Sequence, residues 1–383
     1  MVLNRYDVVV IGLGVHGCAA ARALAARGVR VLAVDAHGPT HRYGSSHGES
    51  RIFRRAYWEG AAYLPLLERA DALWSELEDG HGDVLARRTG ALFIGSERDG
   101  LVEGCRRTAA AGGIPHEVWD AERAGERYPW LAPAKDTVVL YEPGAYTLLA
   151  DRARFALADA AVRDGAVLRY GERALDVVGG GAGAVVRLAS GETVACGAVV
   201  VTAGPWLNDF VGDELPGVLR PQRVAVYWFR TLAPEGNEGW PSFVHESAGG
   251  DIVYGCPEWG RGGREVKVGF HNRQRATADP AAPAAGAVSD ADAAELAGAA
   301  ARFLTGLSPE PVRARTCLYT MTPDGSFIVD RLRTMPRVVY AAACSGHGFK
   351  FAPAIGACLA QLALDGRTDL DLSAFAATRF TAG

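Results

Sequence analysis

The chain has no Cys-x-x-Cys pair. Its seven cysteines (18, 105, 196, 256, 317, 344 and 358) are odd in number and scattered, which argues against a disulfide framework or a zinc site and suits a reducing compartment. No uninterrupted apolar stretch reaches the length that crosses a bilayer. The first apolar run is short and preceded by Arg5 and Asp7, so no secretory leader is expected. There is no basic excess either: Lys and Arg number 40 against 44 Asp and Glu, which gives no footing for nucleic acid. The cluster Arg51, Arg54 and Arg55 is local and fits a small-anion site better than a polyanion track. Internal repeats and blocks of like charge are also missing. What remains is a soluble, cytoplasmic protein of 383 residues, 49% hydrophobic and 22% charged, long enough for two packed regions.

The most informative segment is the first. Tyr6 to Ile11 is an apolar run, Gly12-Leu13-Gly14-Val15-His16-Gly17 follows, and Cys18 to Ala21 favours helix. A second apolar run, Val29 to Val34, ends in Asp35. Strand, glycine turn, helix, strand and carboxylate is the order of a dinucleotide fingerprint. Gly12 serves the tight turn, Gly14 the approach of a pyrophosphate and Gly17 close helix packing, while Asp35 meets a ribose diol. The helix N-terminus adds free N–H donors and partial positive charge. The pattern does not separate FAD from NAD. The same turn and acid could also serve a methyltransferase that binds S-adenosylmethionine.

Further along, Leu64, Leu67, Ala70, Trp74 and Leu77 recur at helical spacing. Gly90–Gly95 reads as a strand, and Asp151–Asp164 as a helix capped by Asp151. A hairpin is expected over 184–196, followed by a buried parallel strand over 198–204. Strand-like segments over 218–272 point to a separate antiparallel sheet. A loop is expected over 276–289 and a helix over 290–304. A final strand and helix are expected at 338–342 and 354–364.

Three more segments carry a resemblance. They are Ser45-Ser46-His47-Gly48-Glu49-Ser50-Arg51-Ile52-Phe53-Arg54-Arg55-Ala56-Tyr57, Cys317-Leu318-Tyr319-Thr320, and Ser345-Gly346-His347-Gly348-Phe349-Lys350-Phe351. With the opening fingerprint, the chain resembles the monomeric sarcosine oxidase and N-methyltryptophan oxidase family of flavoprotein amine oxidases. The resemblance runs from the first strand to the last helix. It implies an α/β fold in which a Rossmann-like, glutathione-reductase-like FAD-binding domain (1–88, 149–215 and 317–383) is interrupted by an antiparallel-sheet substrate domain (89–148 and 216–316). It also implies FAD attached through a thioether at Cys317, and a monomer that takes a small amino acid and O2.

By the same resemblance, Lys267 lies near the flavin and stabilises the superoxide-like charge formed when reduced flavin meets O2. Arg51 and His47 lie beside the flavin ring as cations favouring its reduced form. Arg54 and Lys350 form a carboxylate clamp. His271, Tyr319 and Tyr254 line a substrate pocket. Ser45, Ser46, Gly346, His347 and Gly348 contact the cofactor, as does Lys350, and Thr202 and Gly204 supply a second FAD contact at a strand end. The helix beginning near Ala352 aims its N-terminus at the flavin pyrimidine.

Two departures from the family pattern bear on the substrate. Trp58 stands where sarcosine-specific members carry a small residue, and Arg55 where a histidine is common. An indole at the entrance either narrows the pocket or offers a stacking wall. The expected reaction is hydride loss from a carboxylate-bearing secondary amine, an N-alkyl or cyclic amino acid, giving an imine and hydrogen peroxide. A cyclic imino acid, a sugar-amine adduct or a biosynthetic intermediate fits the same chemistry. A flavin-binding protein without turnover is the alternative outside catalysis.

Overall fold

The computed structural model describes residues 5–97, 100–180, 183–259, 262–273, 277–282 and 288–380. Two eight-stranded sheets carry most of the chain, with a three-stranded sheet between them.

The first sheet grows from the opening fingerprint. Strand Arg5–Ile11 pairs in parallel with Val31–Asp35 on one side and Thr193–Val201 on the other. Alternate residues leave on opposite faces, as the pleat requires. Val8, Val10, Val31 and Ala33 enter a core shared with helices Val15–Ala25, Ala150–Arg163 and Ala352–Asp365. Val9, Ile11, Leu32 and Val34 enter the opposite core. That is why these runs are apolar throughout rather than alternating.

The hairpin arm and the parallel strand expected at 184–204 share one nine-residue strand, Thr193–Val201. Its first half pairs antiparallel with Gly183–Leu188, and its second half pairs parallel with Val338–Ala342. Asp151 is not the cap of its helix. Leu149 holds that position without a side-chain bond, and Asp151 sits in the first turn, where its charge favours the helix dipole. The loop expected over 276–289 lies partly outside the described residues.

The second sheet runs, in spatial order, Leu307–Met321, Arg220–Thr231, Glu265–His271, Ile252–Glu258, Ser242–Glu246, Ala91–Gly95, Val138–Glu142 and Glu117–Asp120. All neighbours are antiparallel except Ala91–Gly95 with Ser242–Glu246. The edge strand Leu307–Met321 runs unbroken through residue 317. Its Pro309 and Pro311 mask it in sequence, yet an edge tolerates the missing donors. One face of this sheet packs on helix Asp290–Ala300 and on Trp130, Trp240 and Phe303. The other face turns toward the first domain and builds the site.

Candidate active site

The glycine turn is assembled as its spacing predicts. Gly12 has φ +92°, a backbone that side chains resist. A Cβ on Gly17 would stand 1.7 Å from the Gly12 carbonyl oxygen, so only glycine lets this helix sit so close to the strand. The Leu13 N–H donates to Asp35 Oδ2 at 2.7 Å and the His37 N–H to Oδ1 at 2.8 Å. Asp35 therefore shapes the turn itself as well as the rim beside it. Ser46 Oγ accepts from the Val15 N–H at the helix start, and Thr202 Oγ1 donates to the Gly12 carbonyl. Ser45 Oγ donates to the Leu318 carbonyl, tying this loop to the second sheet. Next to Asp35, the His37 ring lies 4.7 Å from Tyr43 and 5.3 Å from Trp206.

From this turn a continuous cavity of about 1020 Å³ runs to the second sheet, lined at one end by Gly12, Gly14 and Asp35 and at the other by Arg54, Trp58, His271 and Lys350. Arg51, His47, Ser45, Ser46, Thr202, Gly204, Tyr254, Tyr319, Gly346, His347 and Gly348 also reach it. Gly17, Lys267 and Cys317 do not: they stand behind the lining. Its volume and its lining, from the glycine turn to the buried basic side chains, fit a dinucleotide bearing a flavin. Buried polar atoms without partners agree with that fit. His16 Nδ1, both His47 ring nitrogens, His271 Nε2 and Thr320 Oγ1 all lack one.

The pleat explains how distant residues meet. Cys256 stands opposite Lys267, Lys267 opposite Trp228, and Trp228 opposite Arg313. Period two then puts Tyr254, Glu258, His271, Arg315, Cys317 and Tyr319 on the same face. Lys267 is not a solvated strand lysine: it is 1% exposed. Its Nζ donates to the Gly48 carbonyl at 2.9 Å and to the Ser50 carbonyl. Burial holds its pKa below the usual lysine range, with Arg51 acting in the same direction.

Arg51 donates to the carbonyls of Ser45, His47 and Ser50 and lies 5.4 Å from the Phe349 ring. The backbone it clamps includes Glu49 at φ +70°, a strained conformation for a residue with a side chain. Two 2.6 Å bonds from Arg313 hold the Glu49 carboxylate in place. His47, expected as a second cation, is neutral. Burial, then Arg51 and Arg315, bring its pKa down to about 3.

Arg54 and Lys350 flank one ring: the Arg54 guanidinium lies 4.1 Å and the Lys350 Nζ 5.1 Å from the Tyr57 centroid. Trp58 covers the other side of the guanidinium at 3.4 Å, a stacking worth about 2 kcal/mol where water is excluded. The carboxylate gripped here is the chain's own. Arg54 Nη2 bonds both Glu59 oxygens, at 2.7 and 2.9 Å. Lys350 Nζ donates to the His347 carbonyl at 2.8 Å, and burial with Arg54 nearby drives its pKa well below normal.

His347 is fixed as one tautomer. Nε2 lies 3.1 Å from the Gly325 carbonyl, an acceptor only, so Nδ1 accepts from the Tyr57 hydroxyl at 2.6 Å. His271 turns its edge to Trp58 at 5.6 Å, and burial lowers its pKa to about 3. Cys317 packs with Val224, Tyr319 and Cys344. Burial pushes its thiol up to about 12, against the pull of Arg51.

Glu59, Glu258 and the pair Arg313 and Arg315 were missed in the sequence reading. The alternation Arg313-x-Arg315-x-Cys317-x-Tyr319 was a legible strand signal. Nothing local marked the two glutamates.

Comparison with known proteins agrees with this architecture. The family model described as FAD dependent oxidoreductase matches residues 7–362. The monomeric sarcosine oxidase of Streptomyces avermitilis is 36% identical over 382 residues, covering 98% of each chain. The N-methyl-L-tryptophan oxidase of Yersinia pestis is 31% identical over 377 residues, covering 98% of this chain and 99% of its own. Among solved structures, the Tyr258Phe mutant of NikD, an amino acid oxidase of nikkomycin biosynthesis, superposes with a TM-score of 0.85 at 27% identity over 97% of each chain.

Proposed function

The chain belongs to the FAD-dependent oxidoreductase family as a flavin-dependent amine oxidase, and from that premise we propose its substrate and the roles of its residues. The substrate is a carboxylate-bearing secondary amine, an N-alkyl or cyclic amino acid, which leaves as an imine while O2 becomes hydrogen peroxide. The observation that carries this reading is the cavity itself. One space joins the glycine turn to two buried basic side chains that share a ring, one of which, Arg54, already grips a carboxylate.

The bound flavin supplies hydride acceptance and the return of electrons to O2. The chain does the rest. Gly12, Gly14 and Asp35 hold the dinucleotide, Gly17 lets the helix close on the turn that presents them, and Ser45, Ser46, Thr202, Gly204, Gly346, His347 and Gly348 follow along its length. Arg54 and Lys350 take the substrate carboxylate once it displaces Glu59, fixing which C–H bond faces the flavin. Neutral His271, with Tyr254 and Tyr319, shapes the pocket without adding charge. Trp58 forms a wall against the substrate side chain and favours a ring or a larger N-alkyl amine over the smallest substrates. Lys267 and Arg51 supply positive charge for reduction of O2, while neutral His47 packs beside them. Cys317, behind the lining beside Tyr319, is the residue proposed to carry a thioether to the flavin. The protein is read as a cytoplasmic monomer that touches neither membrane nor nucleic acid. Among the described residues no helix is long and apolar enough to cross a membrane.

Anaerobic mixing with a panel of N-methyl and cyclic amino acids tests the reading. One of them bleaches the flavin, its descarboxy analogue does not, and air restores the colour with peroxide. A panel that never bleaches the flavin overturns the substrate class. Lys267→Met keeps the bleaching but slows recovery in air at least 100-fold; equal recovery removes Lys267 from that role. Acid precipitation decides the tether: colour in the pellet supports Cys317, colour in the supernatant rejects it.

A further inference from the structure

Behind the cavity wall lies a buried acid that the chemistry above does not use. Glu258 is 4% exposed. Its Oε1 accepts from Ser50 Oγ at 2.6 Å and from Trp228 Nε1 at 3.4 Å. Cys256 stands opposite Lys267, so Glu258, two residues along, is the diagonal neighbour of Lys267 on the same face. Such neighbours have backbones about 7–8 Å apart, within reach of long side chains. Ser50 connects the two: its hydroxyl serves Glu258 and its carbonyl accepts from Lys267.

The other charges on this face are matched elsewhere. Glu49 is taken by Arg313, with Arg315 at 3.5 Å. Glu265, on the strand beside Glu258, is taken by Arg313 at 2.7 Å. Both arginines stack on Trp228. Arg51 spends its donors on carbonyls, and Cys256 is a buried thiol whose pKa burial raises. Among the described residues, Glu258 and Lys267 are thus the two buried opposite charges on this face without a charged hydrogen-bond partner.

We propose that Glu258 is a positioning residue for Lys267, an acid held by Ser50 whose charge governs whether the ammonium is present where the reading above places the reduction of O2. Neither group is comfortable as an ion alone at such depth. Burial raises Glu258 to about 7 and lowers Lys267, while each pulls the other back toward its charged form. Ionised Glu258 therefore extends the pH range over which Lys267 stays an ammonium. Neutralising it shortens that range from the alkaline side.

This inference rests on Lys267 serving the oxygen step, and the test separates the two. The chain has three lysines, at 135, 267 and 350, so isotope-labelled lysine in the holoenzyme gives few NMR signals, and Lys267→Met identifies the one wanted. Glu258→Gln keeps the shape and both hydrogen-bonding neighbours. Its Lys267 midpoint falls by about one pH unit, the size expected for loss of one nearby opposite charge. Dithionite-reduced enzyme mixed with O2 then loses its rate at a correspondingly lower pH. Coincident Lys267 midpoints in parent and variant overturn the proposal. If Glu258→Gln does not fold, Ser50→Ala removes the bond to the acid but keeps the carbonyl. A smaller downward shift there supports the coupling, and no shift rejects it. Should Lys267→Met reoxidise normally, the oxygen role falls while the NMR midpoints still decide the coupling.

Discussion

The two ends of the cavity are built from different materials. At the dinucleotide end the contacts come from backbone: a turn of glycines, a helix start, and an acid whose oxygens take the Leu13 and His37 amides. These parts lie within the first 37 residues and are positioned by local geometry. At the substrate end the contacts are side chains from five separate segments, Arg54 with Trp58, Tyr254, His271, Tyr319 and Lys350. Their meeting depends on sheet register and on the crossing of two domains. A site made of backbone tolerates little substitution but is readable from spacing; a site made of side chains can change its substrate one residue at a time.

If that contrast is right, damage at the first end is general and damage at the second is selective. The largest effect is expected from Gly17→Ala. Its new Cβ would stand 1.7 Å from the Gly12 oxygen and 2.7 Å from Thr202 Oγ1, and the first of these is backbone that cannot move without opening the turn. Expression should give little soluble protein and none that is yellow; a yellow, soluble Gly17→Ala would break the comparison. Arg54→Ala is the counterpart. It removes a charge-assisted pair worth about 3 kcal/mol, so KM rises by about 100-fold. Flavin content, read from absorbance, is unchanged.

The same contrast explains what could be read beforehand. The first sheet was legible because parallel strands buried on both faces are continuous apolar runs, and Val8 to Ile11 has no other use. The motif cations were legible only through resemblance, since a lone arginine or lysine is ordinarily a surface residue. Composition did hold one unused clue. Of three lysines in the chain, Lys267 and Lys350 are buried in this site, and a lysine kept where arginine is otherwise so abundant invites the question of why. Edge strand Leu307–Met321 hid behind its prolines, and Glu59 and Glu258 behind their ordinariness. The partner of Glu258 lies 208 residues away and is set by tertiary structure, while that of Glu59, five residues back, is set by a loop that no periodicity marks.

A smaller effect sharpens the picture of the substrate end. Glu59 competes for the guanidinium that the substrate needs, so apparent affinity is reduced by the fraction of Arg54 already paired. Glu59→Gln keeps the volume and loses the charge. KM should fall by about tenfold, roughly 1.4 kcal/mol, with kcat unchanged. A KM that rises instead would mean that Glu59 holds Arg54 in its binding position and does not block it.

An effect of similar size compares the ends by acid. His16 lies beside the glycine turn and His271 in the substrate pocket, and burial lowers them to about 4 and about 3. Unfolding restores a pKa near 6.5, so below that value the unfolded chain takes up protons that the folded one refuses. Stability from these neutral rings is complete above about pH 6.5 and is lost as pH falls through it toward the folded values. Between pH 7.5 and 5.5 each ring removes about 1.4 kcal/mol. Denaturant unfolding of the holoenzyme at those two pH values should therefore show a smaller acid loss in His16→Gln and in His271→Gln than in the parent. The reductions should be similar, because desolvation acts alike on both rings even though one sits among backbone and the other among side chains. Unequal reductions would show that water reaches one end of the cavity and not the other.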